Sequence, residues 1–328
     1  MLTSKVGGVP LYIWLIAVIQ PKGKISMTVL KTDISWTNST WNPTVGCTAI
    51  SDGCAFCYAK VIVNRFMDHA FEDVQLHPER IAQGAQFRPI KTPDGLVPRL
   101  VFVNSMSDLM HEQIPDSFRD LVFDAMEANT GAAFQVLSKR QTTMRRYITD
   151  RYRGRGVPPN IWLGLTVEGP KVRQRIDTLR RMKDDLGDFC AFLSVEPLIG
   201  NPLSMTFHGM DWILVGGESG SGARDCPVEW IRTAVNLGVE ARAAVWFKQF
   251  GQWANNPLYQ ERSGLTRLDR IRNAIAAGEQ LAQIGLNKAG RPTVTGEQGG
   301  ATLDGRTWRQ WPAAFHRHTK RLRTSVLA

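Results

Sequence analysis

Cysteine is scarce in this chain of 328 residues: five occur, and three of them, Cys47, Cys54 and Cys57, crowd into one short segment. That usage argues against a disulfide framework and for a metal site, which fits a reducing, cytoplasmic compartment. Acidic residues are outnumbered, 30 against 40 Lys and Arg, and the formal net charge of +10 favours a polyanionic partner such as DNA or another nucleic acid. Membrane-length apolar runs are lacking too. Val9 to Ile19 is too short to cross a bilayer as a helix, and no small-residue cleavage site follows it, so no membrane partner is expected. Residues 1–26 are expected to be a non-native extension ahead of Met27.

With 43% hydrophobic and 21% charged residues, the chain has the composition of a globular protein able to bury a sizeable core. From Leu100 to Gly251 one rhythm repeats, a short apolar run ending in polar residues and then a helical or irregular stretch. Six runs carry it: Leu100–Val103, Ala133–Leu137, Ile161–Leu165, Phe189–Leu193, Trp212–Val215 and Ala244–Phe247. Apolar runs without strict alternation are what parallel strands covered on both faces require. Helical spacing is legible over 115–128, 172–182 and 228–241, whereas 199–210 reads as an irregular link. The class is therefore α/β, with the core domain over 27–253, and 254–328 set apart as a variable helical appendage and basic tail.

In a β/α barrel, one architecture of parallel strands and helices, residues just past the C-terminal ends of the strands converge on one mouth. That rule collects Asp108, Lys139, Glu168, Glu196, Glu218, Ser219 and Lys248. Helix capping accounts for one or two of the acidic ones, and a buried ion pair with a neighbouring Arg or Lys is the alternative for each carboxylate. Basic residues cluster at 139–155, 173–183 and 317–323. Contact with DNA, through Arg145, Arg146 and Arg151 first, is one reading, and solvated helix faces are the other.

The segment from Gly46 to Lys60 carries the chemistry. Three thiolates from one loop suit three corners of a [4Fe-4S] cube and leave the fourth iron open. Gly46 and Gly53 let the loop fold back. Zinc is the rival, but its fourth ligand would have to come from distant Cys190, Cys226, His69 or His77. Cys190, inside an apolar run, reads as a core residue; Cys226, near the mouth, is either a structural thiol or a hydrogen donor.

Cys54-Ala55-Phe56-Cys57 resembles the end of the radical SAM motif, and Tyr58-Ala59 after it is similar to the spore photoproduct lyase branch. Together with Ile34-Ser35-Trp36-Thr37, Thr40-Trp41-Asn42-Pro43, Asn104 to Asp108, Gly216 to Gly220 and Phe247-Lys248-Gln249, the pattern resembles a phage-associated three-cysteine-motif family of unknown function. It departs from the radical SAM pattern in the longer stretch, Thr48 to Gly53, between the first two cysteines.

The resemblance implies a radical-SAM-like partial (βα) barrel holding a [4Fe-4S] cluster on Cys47, Cys54 and Cys57, with S-adenosyl-L-methionine at the open iron. It implies Phe56 near the adenine, Thr166 and Glu168 at the ribose, and Gly216, Gly217 and Ser219 lining the cofactor site. Glu196, Glu218 and Lys248 would act on the methionyl group or the substrate. The expected function is a radical-SAM-like enzyme acting on DNA or nucleotides, with a partner protein left unnamed. The alternative is a nucleic-acid-binding protein whose metal only staples the loop.

Overall fold

A computed structural model describes residues 32–220, 222–252, 255–256, 285–286, 292–293 and 299–325. Seven strands form one parallel sheet in which each lies beside its neighbour in the chain. They are β1 (Ser39–Trp41), β2 (Arg99–Val103), β3 (Ala132–Ser138), β4 (Ile161–Thr166), β5 (Ala191–Val195), β6 (Trp212–Gly216) and β7 (Ala244–Gln249). The sheet curls into a half-barrel flanked by helices: the parallel strands are those that the apolar rhythm predicts, and the curl is that of the partial (βα) barrel that the resemblance implies. The helices are α1 (Tyr58–Phe66), α2 (Asp116–Glu127), α3 (Gln141–Tyr152), α4 (Gln174–Leu186), α5 (Val228–Glu240) and α6 (Ala313–Ser325).

Alternate residues of the strands feed two cores. Val101, Phe134, Leu163, Leu193 and Ile213 meet Phe123, Ile148, Leu179 and Ile231 of the flanking helices. On the opposite, concave face Phe102, Trp162, Phe192, Trp212 and Trp246 are closed over by Trp36, Trp311, Ala314 and Phe315. Burial on both faces is why the strands read as nearly unbroken apolar runs.

The C-terminal part returns to the barrel. Phe247 N–H donates to Trp308 O at 3.0 Å and Gln310 N–H to Val245 O at 3.0 Å, so residues 308–310 run antiparallel along the edge of β7. Helix α6 then packs Ala314 and Phe315 against the aromatic end of the concave core. A basic tail was expected from the sequence here; its cationic side chains cover the outside of a helix with a narrow apolar seam. Residues 257–284 of the expected helical appendage and the apolar run Val9 to Ile19 lie outside the described residues. Among the described residues no helix is long and apolar enough to cross a membrane.

Candidate metal centre

The cysteine loop leaves the C-terminal end of β1. Asn42 anchors it, accepting at Oδ1 from the Ser105 hydroxyl at 3.2 Å and the Met106 N–H at 3.0 Å. Gly46 N–H then donates to Met106 O and Cys47 N–H to Phe71 O, at 3.1 and 2.8 Å. Gly46 has φ of +98°, and a Cβ there would lie 2.8 Å from the carbonyl oxygens of Phe71 and Asp73, so no other residue fits. Cys54 ends a 3-10 turn over Asp52–Cys54, and Cys57 stands immediately before α1.

Three charged side chains, from beyond three different strands, hold this loop. After β3, Arg140 donates from Nη1 to Cys47 Sγ at 3.3 Å and from Nη2 to Thr48 O and Oγ1 at 3.0 and 2.9 Å. Asp108 and Glu112 hold the guanidinium in turn, at 3.4 and 3.0 Å. After β4, Glu168 accepts from the Ser51 hydroxyl and from Arg175 Nη1 at 2.6 Å. Ser51 Oγ also lies 3.9 Å from Cys54 Sγ. After β6, Arg224 clamps Glu218 and donates from Nη2 to Asp52 O at 3.0 Å.

Burial, reinforced by the charge of Asp108, pushes the free Cys47 thiol up to about 11 against the pull of Arg140. Binding as a thiolate therefore needs a cationic centre to displace the proton. Three soft sulfurs on one loop, one of them receiving a hydrogen bond from a buried guanidinium, are donors of the type that iron-sulfur chemistry uses. In the arrangement seen, however, no three His, Cys, Asp or Glu side chains among the described residues gather closely enough to hold a metal ion. Cys190 and Cys226 are both buried among apolar side chains. For Cys226, burial pushes the thiol up to about 12.

The residues expected at the mouth follow the C-terminal ends of their strands, and the carboxylates among them are already paired with cations. Glu168 is only 2% exposed, and Arg175 and Ser51 occupy its oxygens. Glu218 is also buried and is gripped by Arg224. Glu196 accepts from Lys248 Nζ at 2.7 Å. The ion-pair alternative thus describes all three carboxylates. Thr166 is buried, Gly216 packs on the Glu196 side chain and Gly217 on Phe250 O. Of the set expected to hold S-adenosyl-L-methionine, only Phe56, 44% exposed under the Arg224 guanidinium, and Ser219 present open surface. That set does not fit the cofactor in this arrangement.

Sequence reasoning missed Ser51, Arg140 and Arg224 as supports of the loop. Arg140 was legible only as one of a basic cluster. It also missed the exposed apolar side chains around the loop, Ile50, Tyr58, Val61 and Phe66 beside Phe56.

The first two basic clusters are largely neutralised on the outer helices. Arg145 pairs with Asp185 at 3.1 Å, Arg146 with Asp116 at 2.6 Å, and Arg151 with Asp120, Asp124 and Glu127. Arg175, Arg180 and Lys183 are paired as well. Lys139, Arg173 and Arg181 have no ion pair among the described residues. Between α3 and α4 lies an open groove of about 510 Å³ whose lining mixes Arg145, Arg153 and Arg181 with Asp150, Asp177 and Asp185.

No curated protein and no solved structure matches the chain. A family model described as "Protein of unknown function (DUF5131)" matches residues 31–312, a span that takes in the cysteine loop, all seven strands and the segment along the β7 edge. The chain belongs to this DUF5131 family of unknown function.

Proposed function

We propose that this protein is a [4Fe-4S] enzyme of radical-SAM-like type, acting on DNA or nucleotides, with the cluster on Cys47, Cys54 and Cys57. The observation that carries the reading is the position of the three thiols, on the loop leaving β1 at the mouth of a parallel half-barrel, with the Arg140 guanidinium 3.3 Å from one sulfur. When bound, the cluster supplies one-electron chemistry. The chain's residues do the rest. Gly46 and the Arg140, Glu168 and Arg224 supports fix the loop, and the aromatic end of the concave core closes the half-barrel to water from below. The paired Glu196 and Lys248, each partly exposed, are the charged groups of the expected catalytic set left to face a substrate inside the mouth.

S-adenosyl-L-methionine belongs to the proposal through the resemblance alone, since most of the residues it implies around that cofactor are buried or already paired. For nucleic acid, the net charge and Lys139, Arg173 and Arg181, which have no ion pair among the described residues, give the support. The test is anaerobic purification with iron and acid-labile sulfide analysis, followed by assay of S-adenosyl-L-methionine cleavage by the reduced protein. About four irons and matching sulfide per chain is the expected result. Stoichiometric zinc without sulfide would overturn the reading, and a loaded protein that leaves S-adenosyl-L-methionine intact would favour a metal that only staples the loop.

A further inference from the structure

Large apolar side chains that stand in water as a group mark a surface for a partner. Nine are exposed among the described residues, and five of them, Ile50, Phe56, Tyr58, Val61 and Phe66, fall within the cysteine loop and α1. All three aromatics of the nine are there. Tyr58, Val61 and Arg65 recur at helical spacing, on one exposed face of α1. Two of the rings carry cations: Arg224 lies over Phe56 at 5.4 Å and Arg65 over Phe66 at 5.2 Å. Tyr58 is tied by its hydroxyl to Ser105 O at 2.5 Å, so its ring is held in place before anything binds.

Most acidic groups near these rings are already paired. Asp52 and Glu72 meet Lys171 and Lys60 at 2.8 and 2.7 Å, Glu218 meets Arg224, and Asp108 and Glu112 share Arg140. Lys139, next to the Arg140 that grips Cys47, and Arg173, two positions from the Lys171 that reaches the loop, have no ion pair among the described residues, and neither has Arg65. Asp68 and Asp73, likewise without one there, follow the far end of α1.

We propose that Phe56, Tyr58 and Phe66 form a stacking face for the unpaired bases of a single-stranded nucleic acid, whose phosphates meet Arg65, Lys139 and Arg173. This names the strand form for the nucleic-acid part of the reading above, rests on that part, and needs nothing bound to the thiols. Every base has a flat π face, so an exposed ring beside a guanidinium takes bases with little regard to sequence. Bases stacked inside a duplex cannot reach such a face. An apolar protein surface in the same place would bury Arg65 without a countercharge.

The experiment measures, by fluorescence anisotropy, the affinity of the full-length, anaerobically purified protein for a labelled mixed-sequence DNA strand and for the duplex of the same length. The single strand is expected to bind more tightly. Phe66→Ala and Phe66→Leu should each lower single-strand affinity about fivefold or more and leave duplex affinity unchanged, whereas Phe66→Trp should keep the affinity of the parent. Leu is the deciding variant, because it keeps the apolar surface and removes the flat ring. Phe56→Ala should act like Phe66→Ala; Phe56 stands between Cys54 and Cys57, so if that variant is disturbed in the loop the Phe66 series decides alone. Leu121→Ala, an exposed apolar side chain on α2, should change nothing. A duplex bound as tightly as the strand, or a Phe66→Leu protein with the affinity of the parent, overturns the stacking face and leaves nucleic acid as a substrate. A parent that sediments as a dimer, split by Phe66→Ala, assigns the face to a second copy of the chain and also overturns it. Failure of the parent to bind either probe at low salt refutes the nucleic-acid reading itself, and the stacking face with it.

Discussion

Gly53 and Glu168 are packed with no room for a side chain between them: a Cβ on Gly53 would lie 2.6 Å from Glu168 Oε1. The carboxylate cannot retreat, because Arg175 holds it from behind at 2.6 Å. The turn that carries Cys54 must therefore yield first. Gly53→Ala is expected to displace the turn and abolish iron uptake while costing the fold only about 1–3 kcal/mol, the usual penalty of local overpacking. Iron analysis alongside thermal melting checks this, and a fully loaded Gly53→Ala protein would contradict it.

Cys47→Ala, Cys54→Ala and Cys57→Ala should each lose the cluster, because each sulfur is a corner ligand. Cys190→Ala should keep it, losing about 1 kcal/mol for the small cavity left beside the concave core. Iron-to-protein ratios of the purified variants are the measurement. Loss of iron from a folded Cys190→Ala protein would show that the ligands are misassigned.

Nucleic-acid binding, if carried by the cations free of ion pairs, should respond to different substitutions from those that charge clustering suggests. Lys139→Gln and Arg173→Gln should each lower the slope of log affinity against log salt by about 1. Arg145→Gln and Arg146→Gln should leave it unchanged, since each guanidinium already faces a carboxylate. Affinity measurements on a short duplex and a single strand over a salt series separate the two groups. Absence of binding at low salt by the loaded protein would remove nucleic acid as the substrate.

His318 on α6 makes the docking of that helix sensitive to acid. Burial, with Arg321 adding to it, lowers its tendency to protonate, although Nε2 bonds Thr130 O at 2.7 Å. Its Nδ1 is buried without a partner, so the charged ring would carry an unsatisfied N–H. The folded group thus titrates below the ordinary value of about 6.5 and the unfolded chain binds the extra proton. Stability from this site is complete above that value and is lost as pH falls through it toward the folded value. Melting midpoints over pH 5–7.5 should decline on the acid side, and His318→Gln should flatten that decline.

The strands were legible because burial on both faces leaves little choice of residue: Trp212–Gly216 and Ala244–Gln249 extend the expected runs by only one or two residues. The run at Phe189 begins late, at Ala191, because the Asp211 carboxylate takes the Ala191 N–H at 2.8 Å and sets where pairing starts. β1 was not readable as a strand, since Ser39-Thr40-Trp41 is short and mostly polar. The three thiols could be singled out as a candidate site because they crowd into one short segment. Their supports were not: Arg140 lies 93 positions from Cys47, and nothing in the periodicity of a helix or strand couples them. The carboxylates could be placed at the mouth from the ends of the strands, but whether Arg175 or Arg224 would fold back onto them depends on loop paths that no local pattern encodes. Helix α6 was hidden by its charge, because only Ala314 and His318 are buried within it.

The backbone of residues 308–310 occupies the outer side of β7. An open sheet exposes a row of N–H and C=O groups at its last strand, a template on which a second molecule can add its own strand. Here the chain supplies that extra strand itself, so the half-barrel remains unclosed without offering this edge for self-association.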